Sequence, residues 1–105
     1  MNESTRMWKS LPVQQLIGTL AAIDDPALMQ KFLGDVLTEK EIVEISARLQ
    51  AAIMLQNGAR YSDVIKKTKL SSRTVARISA WLREGYGGYE AAIHHTAPKS
   101  RLRAV

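Results

Sequence analysis

The sequence predicts an all-α fold, a helical bundle built around a helix-turn-helix, and three observations carry that prediction. Apolar residues recur at spacings of three and four along most of the chain, the period of a helix with one buried face. Residues suited to starting helices stand ahead of those stripes: Pro12, Asp25-Pro26, Thr38 with Glu41, Ser62 and Ser71. The stretch YSDVIKKTKLSSRTVARISAWLRE, residues 61–84, reads as two short helices joined by a tight turn.

Taken in order, residues 1–10 read as a flexible N-terminal arm, in which Trp8 is either an anchor on a partner or part of the core. A helix is expected from Leu11, with Pro12 in its first turn and Val13, Leu16, Ile17, Leu20 and Ile23 as its apolar stripe. Asp24-Asp25-Pro26 breaks the pattern and restarts it. Asp25 serves as N-cap and Pro26 as first helical residue, and Leu28, Met29, Phe32, Leu33 and Val36 follow. Thr38-Glu39-Lys40-Glu41 has the form of a capping box, ahead of a long helix that Asn57-Gly58 stops. That helix is apolar on more than one side, through Ile42, Ile45, Leu49 and Ile53, but also Val43, Ala47, Met54 and Leu55. A helix of this kind must be buried on most of its surface. One chain of this size supplies little cover, so a homodimer is expected in which the first helices of one subunit cover the other. The alternative is a central helix wrapped by its own chain.

In the helix-turn-helix, Ser62 is expected to cap the first helix and Ser71 the second. Val64, Ile65 and Thr68 would face inward on the first, and Val75, Ile78 and Leu82 on the second. Ser72, Arg73, Ala76, Arg77 and Ala80 then form the outer face: guanidiniums, a hydroxyl and small residues that suit a helix entering a major groove. The turn position ahead of Leu70, where glycine is common, is Lys69; if the turn sets it in a left-handed backbone, that costs about 1–2 kcal/mol. The alternative is an ordinary amphipathic hairpin with a solvated basic face. Past the motif, GYGGY (residues 85–89) is a flexible stop, and Glu90 to His95 a short closing helix. Residues 96–105 read as a disordered basic tail able to lie along phosphates.

Charge points the same way. Residues 1–57 hold five basic and seven acidic groups, a net of −2, whereas residues 58–105 hold ten and three, a net of +7. A basic half that coincides with the proposed duplex-reading helices is the footprint of a phosphate-contacting surface. Cysteine is absent, which fits a reducing cytoplasm, and no apolar run suits a signal peptide or membrane span. No Gly-rich phosphate loop and no nucleophile with histidine and acid partners is present, so an enzyme is not expected. His94 and His95 are adjacent, point about 100° apart on a helix and lack further ligands, so no metal site is expected.

A longer pattern runs through the chain: Leu37-Thr38-x-x-Glu41, Arg48, Leu55-x-x-Gly58, Tyr61-Ser62, then Thr68-x-x-Ser71-x-x-Thr74-Val75-x-Arg77. It resembles the Trp repressor superfamily over residues 11–95. Leu82-x-x-Gly85 with Tyr89 resembles its smaller branch, the Trp repressor-related YerC/YecD-type proteins. The resemblance implies a Trp-repressor-like helical bundle forming an intertwined homodimer, and control of transcription through DNA. It also implies a possible effector pocket, because the two arginines that hold L-tryptophan in the Trp repressor fall on Arg48 and Arg77. Here Ile78 replaces a glycine and Trp81 a serine of that pocket. Trp81 either fills the pocket or is simply core; both readings predict no response to the tryptophan corepressor, and whether another small-molecule effector exists is left open by the sequence. The turn of the motif is two residues shorter than in the Trp repressor, so base contacts need not transfer.

The sequence thus points to a cytoplasmic, nucleoid-associated regulator, a repressor that binds double-stranded DNA as a homodimer. The DNA-binding set is Ser71, Ser72, Arg73, Thr74 and Arg77 on the recognition helix, with Arg60, Lys66, Lys67, Lys69 and Arg83 mostly on phosphates. The alternatives are an RNA-binding basic module, disfavoured by six aromatics none of which cluster on the basic helices, and a protein-interaction adaptor on the same fold.

Overall fold

Helix boundaries follow from local caps at most junctions. The computed structural model describes residues 3–96, and every regular element among them is a helix. The elements are α1 (Glu3–Lys9), α2 (Leu11–Ala22), α3 (Pro26–Val36), α4 (Glu39–Gln56), α5 (Tyr61–Thr68), α6 (Ser72–Glu84) and α7 (Gly88–Thr96). Ser10 caps α2, its hydroxyl accepting the Val13 amide at 3.3 Å, with Pro12 in the first turn. Asp25 caps α3 through the Ala27 amide at 3.2 Å, directly ahead of Pro26. Asn57-Gly58 ends α4: Gly58 turns at φ 84, and the Asn57 side chain donates to the Ile53 carbonyl at 2.8 Å.

Three boundaries differ from expectation. Ser62 does not cap α5, which starts at Tyr61 with Arg60 in the cap position and no side-chain cap bond. The Val64 amide donates to the Arg60 carbonyl at 3.0 Å, so Ser62 is already inside the first turn. A loose arm was expected over residues 1–10, yet Glu3–Lys9 is helical, and the Ser10 amide closes it on the Met7 carbonyl at 3.1 Å. Arg6 and Lys9 in its last turn complement the helix dipole, a signal too short to stand out from a polar terminus. The closing helix begins at Gly88 rather than Glu90. The expected basic tail beyond Thr96 lies outside the described residues.

The described chain divides into two compact units, one up to Glu39 and one from Lys40. The reason is where the buried residues lie. In the first unit, α2 and α3 bury no residue, and their apolar stripes remain partly or fully exposed. Below about 40 residues a segment seldom buries enough surface for a core of its own.

Among the described residues, all the buried ones belong to the second unit. Ala51 and Ala52 of α4, Val64 of α5, Val75 and Ile78 of α6 and Ile93 of α7 form its core. Leu55, Ile65, Leu70, Leu82 and Tyr89 pack around them, partly buried. The buried Thr68 is satisfied: its hydroxyl donates to the Val64 carbonyl at 2.7 Å and accepts the Leu70 amide at 3.3 Å. Inward residues of the helix-turn-helix are therefore those expected, with Ile65 and Leu82 at the core's edge rather than within it. Among the described residues no helix is long and apolar enough to cross a membrane.

Candidate nucleic-acid interface

The α5–α6 pair presents one face to the core and the other to solvent. Val64 and Thr68 on α5, and Val75 and Ile78 on α6, are the buried anchors that fix the pair. Between the helices Lys69 takes the left-handed backbone its position demands, φ 65 and ψ 12, and its amide donates to the Ile65 carbonyl at 2.9 Å. Ser71 caps α6 as its sequence predicts, accepting the Thr74 amide at 3.1 Å. The Ser71 hydroxyl also donates to Thr74 Oγ1 at 3.0 Å. The two hydroxyls are therefore engaged with each other, and the outward surface of α6 is left to Ser72, Arg73, Ala76 and Arg77, all exposed. Ala80, placed on that face by its spacing, is half-buried.

The cations of this surface sort into two groups. Arg60 pairs with Asp63 at 3.4 Å, and Arg83 donates from Nη1 to Ser79 Oγ at 2.8 Å. The Arg60–Asp63 pair is open to water on both sides and holds the guanidinium weakly. Lys66, Lys67, Lys69, Arg73 and Arg77 are exposed, and none makes a hydrogen bond or ion pair with the described residues through its side chain. These five run from the last turn of α5, across the turn, onto the outer face of α6. Asp63 in the first turn of α5 and Glu84 at the last residue of α6 are the acids of the two helices, so each stands at an end of the motif. A string of unpaired cations with its acids at the margins suits a polyanion that follows a groove.

The effector constellation is only partly assembled. A groove of about 980 Å³ in the second unit is lined chiefly by Ile45, Arg48, Leu49, Trp81, Tyr86 and Tyr89. Arg48 and Trp81 therefore share a site, whereas Arg77 is not among its lining residues. Trp81 is 44% exposed in the single chain. Arg48 donates from Nη2 to Glu44 at 3.2 Å, while its Nε is buried with no hydrogen-bond partner. That orphaned donor has no sequence signal, because its burial depends on how α4 is covered. His94 and His95 are both exposed, and the described residues contain no group of three potential metal ligands.

Comparison with known proteins identifies the family. The family model described as Trp repressor protein matches residues 12–97. The uncharacterized protein YerC of Bacillus subtilis (strain 168) is 30% identical over 81 residues, which cover 77% of this chain and 78% of YerC. The crystal structure of a TrpR like protein from Eubacterium eligens ATCC 27750 is similar with a TM-score of 0.81 and 30% identity, over 86% of this chain and 93% of that one. Trp repressor-like proteins are DNA-binding regulators and not enzymes. With the model spanning most of its length and the all-helical fold shared, this chain belongs to the Trp repressor family, on the YerC-like branch.

Proposed function

We propose that the protein is a sequence-specific regulator of transcription, a repressor that binds duplex DNA as a homodimer in the cytoplasm and associates with the nucleoid. The observation that carries this reading is the outer face of α6: Ser72, Arg73 and Arg77 exposed beside the small Ala76, on a helix fixed from behind by Val75 and Ile78. Arginine to guanine is the commonest base-specific contact, so Arg73 and Arg77 read base edges with Ser72 beside them. Lys66, Lys67 and Lys69, with Arg60 and Arg83 once released from Asp63 and Ser79, bind phosphates and give affinity without sequence information. Dimerisation rests on apolar side chains that the single chain leaves in water, Val43, Ile45 and Leu49 on α4 and Leu16 and Ile17 on α2. Two recognition helices would then enter successive major grooves about 34 Å apart.

The test is selection of bound fragments from a random duplex pool, repeated with Arg73→Ala. A palindromic consensus with half-sites one helical turn apart, relaxed at one position by a substitution costing about 1–3 kcal/mol, supports the reading. Weakening that is uniform across sequences would make Arg73 a phosphate contact. Enrichment of nothing would remove sequence-specific binding altogether.

Tryptophan is not the effector in this reading. Arg77 is not among the residues that line the groove of Arg48 and Trp81, and by the resemblance Trp81 and Ile78 stand where the Trp repressor has small residues. Calorimetric titration with L-tryptophan is expected to show no micromolar binding, and heat of binding in that range would refute the prediction.

A further inference from the structure

Among the described residues Lys69 is the one non-glycine position with a left-handed backbone. The two other left-handed positions, Gly58 at φ 84 and Gly87 at φ 83, both carry glycine. A Cβ in this region crowds the neighbouring carbonyl oxygen, whereas glycine occupies it freely and asparagine tolerates it. Lysine is thus a costly choice for the turn between α5 and α6.

Nothing within the described structure offsets that cost through the side chain. The Lys69 side chain is exposed and makes no hydrogen bond or ion pair with the described residues. The amide bond to Ile65 is one that any residue but proline would make. What distinguishes lysine here is its charge and where it sits: after Lys66 and Lys67, before Arg73, in a row of cations without a side-chain partner among the described residues.

We propose that Lys69 trades stability for affinity, its strained backbone being retained because the turn delivers an ammonium to a phosphate of bound duplex DNA. The inference rests on the DNA-binding reading above and adds to it a specific prediction, that relieving the strain and weakening the binding are one and the same substitution. A rival explanation lies within the protein, since a cation beyond the C-terminus of α5 also favours the negative end of that helix dipole. The two differ in sign: an internal role makes removal of the charge destabilising.

The experiment compares Lys69→Gly, Lys69→Asn and Lys69→Arg in the full chain by thermal melting and by fluorescence anisotropy on a labelled random-sequence duplex. The glycine and asparagine variants are expected to melt higher, by about 2–6 °C once the extra backbone freedom of glycine in the unfolded chain is allowed for. Both should bind duplex more weakly. Their affinity should also fall about 3- to 4-fold less than that of wild type between 50 and 200 mM salt, because a single phosphate neutralised by lysine contributes about 0.9 to the slope against log salt. The arginine variant keeps charge and strain and should match wild type in both measurements. Lower melting of both uncharged variants, or affinity and salt slope unchanged, overturns the proposal. Failure of the wild-type protein to bind any duplex overturns instead the DNA-binding reading on which it rests, while the melts still report whether the turn is strained.

Discussion

Ser71 and Ser72 are neighbours with different tasks. The Ser71 hydroxyl bonds both the amide and the hydroxyl of Thr74, closing the first turn of α6. Ser71→Ala should therefore lower unfolding free energy by about 1 kcal/mol, as loss of an N-cap usually does. The Ser72 side chain is exposed and makes no hydrogen bond with the described residues, so Ser72→Ala should leave stability within about 0.5 kcal/mol and act on duplex binding instead. Urea titration of the two variants checks both, and equal destabilisation would deny the division of labour. Ser71 was legible in the sequence because a hydroxyl residue three positions ahead of a partner amide is a local arrangement. Ser62 carries the same residue type but lies inside α5, since the carbonyl that receives the first helical bond belongs to Arg60. Residue type proposes a cap, and the backbone bond decides which residue serves.

At the scale of elements, the junction after α6 shows what a glycine can mean. The sequence presents Gly85 as part of a flexible stop, yet its φ is −80 and the requirement is space rather than freedom. Its amide donates to the Trp81 carbonyl at 2.9 Å, and a Cβ at this position would lie 2.6 Å from the same oxygen. Gly85→Ala must push the chain away from the end of α6 and is expected to cost about 1–3 kcal/mol, the range for overpacking a fixed site. Because Trp81 lines the adjoining groove, its emission should shift in the same variant. An alanine variant with wild-type stability and emission would show that the junction yields easily. Most of the elements from Leu11 to Gln56, and both recognition-motif helices, were visible as apolar stripes bracketed by caps. The left-handed Lys69 was visible only as one option, because glycine is common at that turn position and lysine takes the conformation only at a cost. What escaped was α1, too short to establish a period, and the pairings Arg60–Asp63 and Arg83–Ser79, where spacing permits contact without requiring it. For Trp81 the sequence left two places open, pocket and core, and the fold sets it with Arg48 along one groove.

For the whole molecule, the distribution of apolar side chains is the fact that one chain leaves unbalanced. The second unit has a core, but α4, which supplies two of its alanines, keeps Val43, Ile45 and Leu49 in contact with water, Val43 at 62% exposure. The α2 stripe is likewise open at Leu16 and Ile17. Single exposed apolar residues are ordinary on a protein surface, whereas several along one helix mark a contact surface. This makes Val43→Glu a discriminating substitution. In a monomer, a charge replacing an exposed valine changes stability by no more than about 0.5 kcal/mol. In a homodimer that buries α4, the same carboxylate is placed without a partner in an apolar interface, and association must suffer. Sedimentation equilibrium should find wild-type protein at twice the 11.7 kDa mass of the chain and the variant shifted toward the monomer. Melting temperature should rise with protein concentration for wild type and less so for the variant, because ligation by a second subunit stabilises by mass action. Duplex binding should weaken along with association, since a monomer engages one half-site and loses the coupling between two. A Val43→Glu protein that matches wild type in mass, melting and duplex affinity would mean that α4 meets water in the working molecule, and the dimeric mode of DNA binding would have to be abandoned.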